Sequence, residues 1–185
     1  MRRHARPIVF ASRCLGFEAC RYDGDIVAND FLPRLARFAE VVRVCPEVEI
    51  GLGTPRAEIR IVAAAGPHRL VQPATGRDLT LAMRNHARRR VAEIEVADGF
   101  VLKSRSPSCG LTDTKLHAGE EGDGTVGFGA GFFARAVLAR FPDLPVTDET
   151  RLEDPSRRAT FLARIFRSAA RRQDLPDDVP EELLA

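Results

Sequence analysis

The sequence predicts an α/β fold: a single domain on a mostly parallel sheet with flanking helices, Rossmann-like and three-layered, with cysteines at the carboxyl ends of strands. Three observations lead there. Short apolar runs alternate with helical periodicity in the order β-α-β-(hairpin)-α-β-α-β, the pattern of a parallel sheet wrapped by helices. Three of the four cysteines, Cys14, Cys45 and Cys109, come just after such runs. The chain has 185 residues, 44% of them hydrophobic and 29% charged, which is enough for one buried core and ordinary for a globular protein.

The first strand is Pro7-Ile-Val-Phe-Ala-Ser12, ahead of Cys14. An irregular segment runs from Leu15 to Asn29. Phe31, Leu35 and Phe38, spaced by four and three, mark a short helix. The second strand, Val41-Val-Arg-Val44, runs into Cys45, and its Pro46-Glu47 continuation opens a loop that Gly51, Gly53 and Pro55 extend. Residues 58–63 and 69–72 read as two arms of a hairpin or meander around Ala64-Ala-Gly-Pro-His68. A long helix begins near Asp78, its predicted N-cap, burying Leu79, Met83, Ala87, Val91 and Ile94 and exposing Arg84, Arg88 and Arg89.

Gly99 to Lys103 forms the third strand. The glycine-rich, polar stretch from Gly110 to Gly131 reads as a mobile loop, because it fits neither a P-loop nor a dinucleotide fingerprint. A helix from about Gly129 to Phe141 stops before Pro142, and Leu144-Pro-Val-Thr147 supplies a last short strand. Residues 151–185 are set apart from 1–150. Within them, 156–172 form a basic amphipathic helix, with Phe161, Leu162, Ile165, Phe166 and Ala169 on one side and six arginines around it. The acidic stretch from Gln173 to Ala185 reads as a frayed terminus.

Charge and length exclude some classes. A net charge of +2 selects no partner by itself. The basic side is almost all arginine, with Lys103 and Lys115 the only lysines, which favours forked contacts to carboxylate or phosphate. No apolar run reaches the roughly 20 residues needed to span a bilayer, and the basic start is not followed by a secretory signal pattern. The expected location is the cytoplasm, where four cysteines stand as thiols or metal ligands rather than disulfides.

The cysteines carry the most chemistry. Parallel strands bring their carboxyl ends to one rim, where open α/β sheets bind ligands. Three thiolates there suit a soft metal or an iron–sulfur centre with one position open. No pair has Cys-x2-Cys spacing and no histidine stands in a zinc frame, so a structural zinc site is not supported. Taken alone, Glu47 reads as a surface carboxylate or salt-bridge partner, and Ser106 as a turn residue before Pro107.

Four ordered segments resemble the signature set of the thiouracil desulfidase (TudS-like) family: Ser12 to Gly24 with Cys14, Cys20 and Arg21-Tyr-Asp-Gly24; Val44-Cys-Pro-Glu47; Gly53-Thr-Pro-Arg56; and Leu102 to Gly110 with Ser106-Pro-Ser-Cys109. The resemblance covers roughly residues 6–148. It implies an oxygen-sensitive [4Fe-4S] cluster held by Cys14, Cys45 and Cys109, with the fourth iron left open for the sulfur of the substrate. It places the functional carboxylate on Glu47 and the functional serine on Ser106. Cys20 is left as a spare thiol, or as a ligand in place of Cys14; Arg21, Asp23 and Arg56 orient substrate or brace the loops.

The implied reaction removes sulfur from 2- or 4-thiouracil, or from 4-thiouridine, to give the oxo base and sulfide. Longer family members with an added C-terminal domain are implicated in desulfurating tRNA thiouridine. Phe141 to Val146 and Arg151 to Pro155 resemble those members, and this chain stops after the opening of that domain, as a short member or as a fragment. The basic helix 156–172 would be the contact for tRNA. A thiol or iron–sulfur sensor binding a partner through that helix is the alternative outside catalysis. Glu47→Ala separates the two, since a sensor does not need that carboxylate.

Overall fold

The computed structural model describes residues 4–63, 66–122 and 124–184. In chain order the elements are β1 (Ile8–Ser12), α1 (Phe31–Leu35), β2 (Glu40–Val44), α2 (Pro46–Glu49), β3 (Arg60–Val62), β4 (Arg69–Gln72), β5 (Arg77–Asp78) and α3 (Thr80–Ala92). They continue as β6 (Gly99–Leu102), β7 (Thr114–His117), β8 (Thr125–Gly129), α4 (Phe132–Arg140), β9 (Val146–Asp148) and α5 (Pro155–Gln173).

The first sheet has the order β2-β1-β6-β9, and every pairing in it is parallel. Its central strands β1 and β6 are buried on both faces because helices cover both. Val9 and Ala11 of β1 enter one core with Leu32 and Leu35 of α1 and Phe161, Leu162, Ile165 and Phe166 of α5. Phe10, the residue between them, enters the other with Ala87 and Val91 of α3 and Phe133 and Val137 of α4. The period of two along β1 thus divides the layers, as the three-layered expectation requires. Phe10 stacks on Phe100 with centroids 5.4 Å apart, tying β1 to β6 through the second core.

A second sheet departs from the sequence reading. The hairpin β3–β4 forms as expected, although Ala64 and Ala65 of its connection lie outside the described residues. It does not join the parallel sheet. It belongs to a sheet of order β5-β4-β3-β7-β8, and two of those strands come from the stretch expected to be a mobile loop. Residues 114–117 and 125–129 pair antiparallel, and β7 docks parallel to β3. The glycines of this stretch argue locally for a loop. Their low strand propensity is a local property, whereas the pairing partner β3 lies some fifty residues away in sequence. Ile61, Leu70, Leu79, Met83 and Phe132 pack this sheet onto the first turns of α3 and α4.

Three boundaries also differ. Leu79 is the N-cap of α3, and Asp78 instead accepts the Thr80 amide at 2.9 Å through Oδ1. Residues 46–49 form a single helical turn inside the expected loop. The acidic tail is not frayed: residues 181–183 form a 3-10 turn whose Leu183 is buried in the α1/α5 core. That contact offsets the polar composition of the segment.

The basic helix packs closely on the sheet. At its far end, buried Asp98 accepts the Ile8 amide at 2.8 Å, the Ser168 hydroxyl at 2.7 Å and the Arg172 guanidinium. Next to it, Gly99 lets the helix approach: a Cβ there would stand 2.7 Å from Ile165 Cγ2 and 3.1 Å from the Pro145 carbonyl oxygen. Gly99→Ala is expected to cost about 1–3 kcal/mol through overpacking. The change should appear as a lower urea midpoint with an unchanged slope. An unchanged midpoint would show that α5 can withdraw from the sheet without loss.

Candidate active site

The carboxyl ends of β1, β2 and β6 open into a cavity of about 590 Å³, in the size range of small-molecule sites. Its lining includes Cys14, Cys20, Cys45 and Cys109, together with Glu47 and Ser106. Every residue singled out from the sequence as a ligand or catalytic group is thus brought to one place. The second sheet supplies the facing wall, including Arg60, Lys115 and Phe128.

Each cysteine is set by local chain geometry. Cys14 lies two residues past Ser12, and its carbonyl accepts the Val27 amide at 2.8 Å, which folds the irregular segment back over the site. Cys45 follows β2 directly and caps α2; its own amide donates to Glu49 Oε1 at 2.9 Å. Cys109 sits in a tight turn after β6. There Ser106 Oγ accepts the amides of Ser108 (3.2 Å) and Cys109 (3.1 Å). The start of α4 holds that turn from behind: the amides of Phe132 and Phe133 donate to the carbonyls of Pro107 and Ser108 at 3.0 and 2.9 Å. Gly131 permits the approach, since a Cβ there would lie 2.5 Å from the Ser108 carbonyl.

All four thiols are free and buried. Contact with Cys14, with burial adding to it, pushes the Cys20 thiol up to about 11, while Cys45 draws it the other way. Contact with Cys20 and burial push Cys45 well above the ordinary thiol range. Burial does the same to Cys109, and the hydroxyls of Ser12 and Ser106 work against it. Crowded thiols in a dry site resist joint ionisation; a metal centre among them removes that penalty by supplying positive charge. Among the described residues no group of three His, Cys, Asp or Glu side chains is arranged to hold a single metal ion. A polynuclear cluster makes a different demand, because each thiolate binds its own iron.

Glu47 is not a surface carboxylate. Its Oε2 accepts from both Nε (2.9 Å) and Nη2 (2.7 Å) of Arg56, and its Oε1 accepts from Ser108 Oγ at 2.9 Å. The side chains of Arg56 and Glu47 are 5% and 12% exposed, so the ion pair is desolvated. Arg56 Nη1 also donates to the carbonyls of Cys20 (3.0 Å) and Gly53 (2.8 Å). One guanidinium thereby joins the Cys20 loop, α2 and the Gly53 turn, the brace that the Gly53-Thr-Pro-Arg56 segment allowed for.

Sequence reasoning gave no role to two further groups. Ser108 is fully buried, and in the sequence it is one residue of the motif around Cys109. Glu149, just past β9, accepts from Lys103 Nζ (2.6 Å) and Ser104 Oγ (2.6 Å), and so anchors the start of the β6 loop. Nothing local signals that contact; it requires knowing that β6 and β9 are neighbours.

Comparison with known proteins points in one direction. A family model described as 2-thiouracil desulfurase matches residues 9–149. The uncharacterized protein YbbK of Bacillus subtilis (strain 168) is 34% identical over 110 residues, spanning 56% of this chain and 73% of that protein. Among solved structures, the [4Fe-4S]-dependent thiouracil desulfidase TudS is similar with a TM-score of 0.60 and 26% identity, covering 80% of this chain and 95% of that one.

Arg56→Ala strips a buried carboxylate of its only guanidinium partner among the described residues. It is expected to cost about 3 kcal/mol in urea unfolding, as for a broken buried pair. Adding Glu47→Gln to the same chain should recover part of that loss, because a neutral amide needs no counter-charge. Equal losses in the single and double variants would show that Arg56 acts only through its backbone contacts.

Proposed function

The chain belongs to the 2-thiouracil desulfurase family, a family of enzymes, and from that premise we propose that it hydrolyses the thiocarbonyl of a thiolated uracil with a [4Fe-4S] cluster held by Cys14, Cys45 and Cys109. One observation carries the reading: buried thiols, a fixed carboxylate and a hydroxyl share a single cavity at the carboxyl edge of a parallel sheet. The donor set fits the cluster. Three strand-end cysteines supply soft thiolate ligands, and Ser12 and Ser106 offer hydroxyl protons to the Cys109 sulfur. Cys20 touches Cys14 and Cys45 from outside that set. When bound, the cluster supplies an open, thiophilic iron that withdraws charge from the substrate through its sulfur.

The reaction exchanges no electrons: thiocarbonyl and water give carbonyl and hydrogen sulfide. The protein's part is proton handling. Arg56 occupies Glu47 Oε2 with two N–H groups, and Ser108 takes one lone pair of Oε1. The remaining lone pair of Oε1 is the acceptor for a proton from the attacking water. Both lone pairs of Ser106 Oγ are spent on amides, so that hydroxyl acts only as a donor, toward Cys109 or the substrate.

We assign this chemistry to residues 1–150, with 151–185 as a brace, and place the protein in the cytoplasm, where thiols stay reduced. No helix among the described residues is long and apolar enough to cross a membrane. The free base or nucleoside is favoured over tRNA as substrate, because the arginines of α5 are largely engaged within the chain. Arg158 lies over Phe31, Arg164 donates to the Asp143 carbonyl, Arg167 faces Asp177 and Arg172 binds Asp98.

Anaerobic reconstitution with iron and sulfide, followed by sulfide release from 2-thiouracil, 4-thiouracil and thiouridine-containing tRNA, tests the proposal. The free bases should release sulfide. Glu47→Gln should keep the cluster absorbance and lose about 10²–10⁴-fold in rate, while Cys109→Ser should lose the cluster. A cluster in the wild type with no sulfide from any substrate would favour the sensor reading.

A further inference from the structure

The mouth of the cavity carries two large rings that no core uses. Tyr22 and Phe128 both line it, and among the described residues they are the only tyrosine or phenylalanine to do so. Tyr22 is 38% exposed and Phe128 is 64% exposed, and neither belongs to a buried hydrophobic cluster. Apolar ring surface left accessible at the opening of a ligand-sized cavity is a feature of ligand-binding grooves.

Both are held in place. The Tyr22 carbonyl accepts the Arg56 amide at 2.8 Å, the neighbouring Glu58 carboxylate pushes its hydroxyl above the ordinary tyrosine range, and the Arg21 guanidinium stands 5.8 Å from its ring centroid. Arg21 is itself fixed by Asp23 at 3.0 Å. Phe128 rides on β8, whose ladder sets it opposite Lys115. The rest of the lining combines charged side chains and the thiols with the smaller apolar residues Val44, Pro46, Ile59 and Pro107. A uracil ring is flat and polar only at its edges, so its faces suit a broad aromatic surface better than these smaller apolar side chains.

We infer that Tyr22 and Phe128 are the stacking surfaces that receive the faces of the substrate's pyrimidine ring and fix its plane over the thiols. The inference rests on the thiouracil reading and adds two positioning residues to it. Neither residue takes part in bond making, so their loss should act on binding.

Anaerobic titration calorimetry of the cluster-loaded protein separates stacking from edge recognition. Uracil is the oxo product and cannot turn over. Dihydrouracil keeps the same carbonyl and N–H edge but is not planar. Wild type is expected to bind uracil about tenfold more tightly than dihydrouracil, the scale of one base–aromatic contact. Tyr22→Leu and Phe128→Leu should each shrink that preference and raise KM for 2-thiouracil with little change in kcat. Tyr22→Phe should retain it. Sulfide release by the wild type together with an undiminished preference in both leucine variants would overturn the stacking role alone, as would a wild type that binds the two probes equally. No sulfide from any thiolated uracil would remove the thiouracil reading and this inference with it.

Discussion

The parallel pairing of β1 with β2 on one side and β6 on the other is the constraint from which the site follows. The registers Ser12 to Val44 and Ala11 to Val101 bring the strand ends level. Cys14 and Cys45 therefore leave the sheet side by side, and the β6 turn needs only a short excursion to add Cys109. Register is fixed by the two cores. Shifting β1 by one residue would send Phe10 into the space that Val9 and Ala11 share with α5, and those alanine- and valine-sized gaps toward α3 and α4. The distant packing of α5 on Gly99 is thus part of what holds the rim.

Charge compensation and loop geometry at that rim are one interaction. The guanidinium of Arg56 neutralises Glu47 and ties the Cys20 and Gly53 carbonyls together with the same group. A lysine could supply the charge but not the fork. The arrangement also leaves little freedom in the polar atoms. Arg56 and Ser108 use most of the acceptor capacity of Glu47, and two amides use that of Ser106. One lone pair on Glu47 and one hydroxyl proton on Ser106 remain, and these set the direction in which a proton can travel.

The strand ends were legible in the sequence because a buried parallel strand is written locally, as a short apolar run, and a cysteine after such a run needs no long-range knowledge to be noticed. The α3 stripe from Leu79 to Ile94 was legible for the same reason: its period is local. What stayed hidden was non-local. β7 and β8 are strands because β3 offers an edge, and their glycines argue against it. Leu183 is buried because α1 and α5 leave a place for it, within a run of acids that argues for solvent. At the site, the spacing Cys45-Pro-Glu47 put a carboxylate near a thiol. The partnership of Glu47 with Arg56 and Ser108 depends on three loops meeting, and only the residue types carried a hint: an arginine in a Gly-Pro turn and a small hydroxyl beside Cys109.

The division of labour between the sheets explains why the cavity lies at their seam. Hydrolysis of a thiocarbonyl asks for two unlike partners, a soft one for sulfur and a hard one for the proton of water. The first sheet carries the thiols at its strand ends. The group that aims Glu47 comes from the approach to β3, in the second sheet, and so does the Glu58 beside Tyr22. Glu47 stands two residues from Cys45 at the end of β2, where a carboxylate and thiolates would repel one another without a counter-charge. The converging second sheet supplies that counter-charge: Arg56, on the approach to β3, compensates the carboxylate across the seam. In the proposed reaction the substrate bridges that seam, with its sulfur toward the first sheet and its carbon within reach of the water that Glu47 deprotonates.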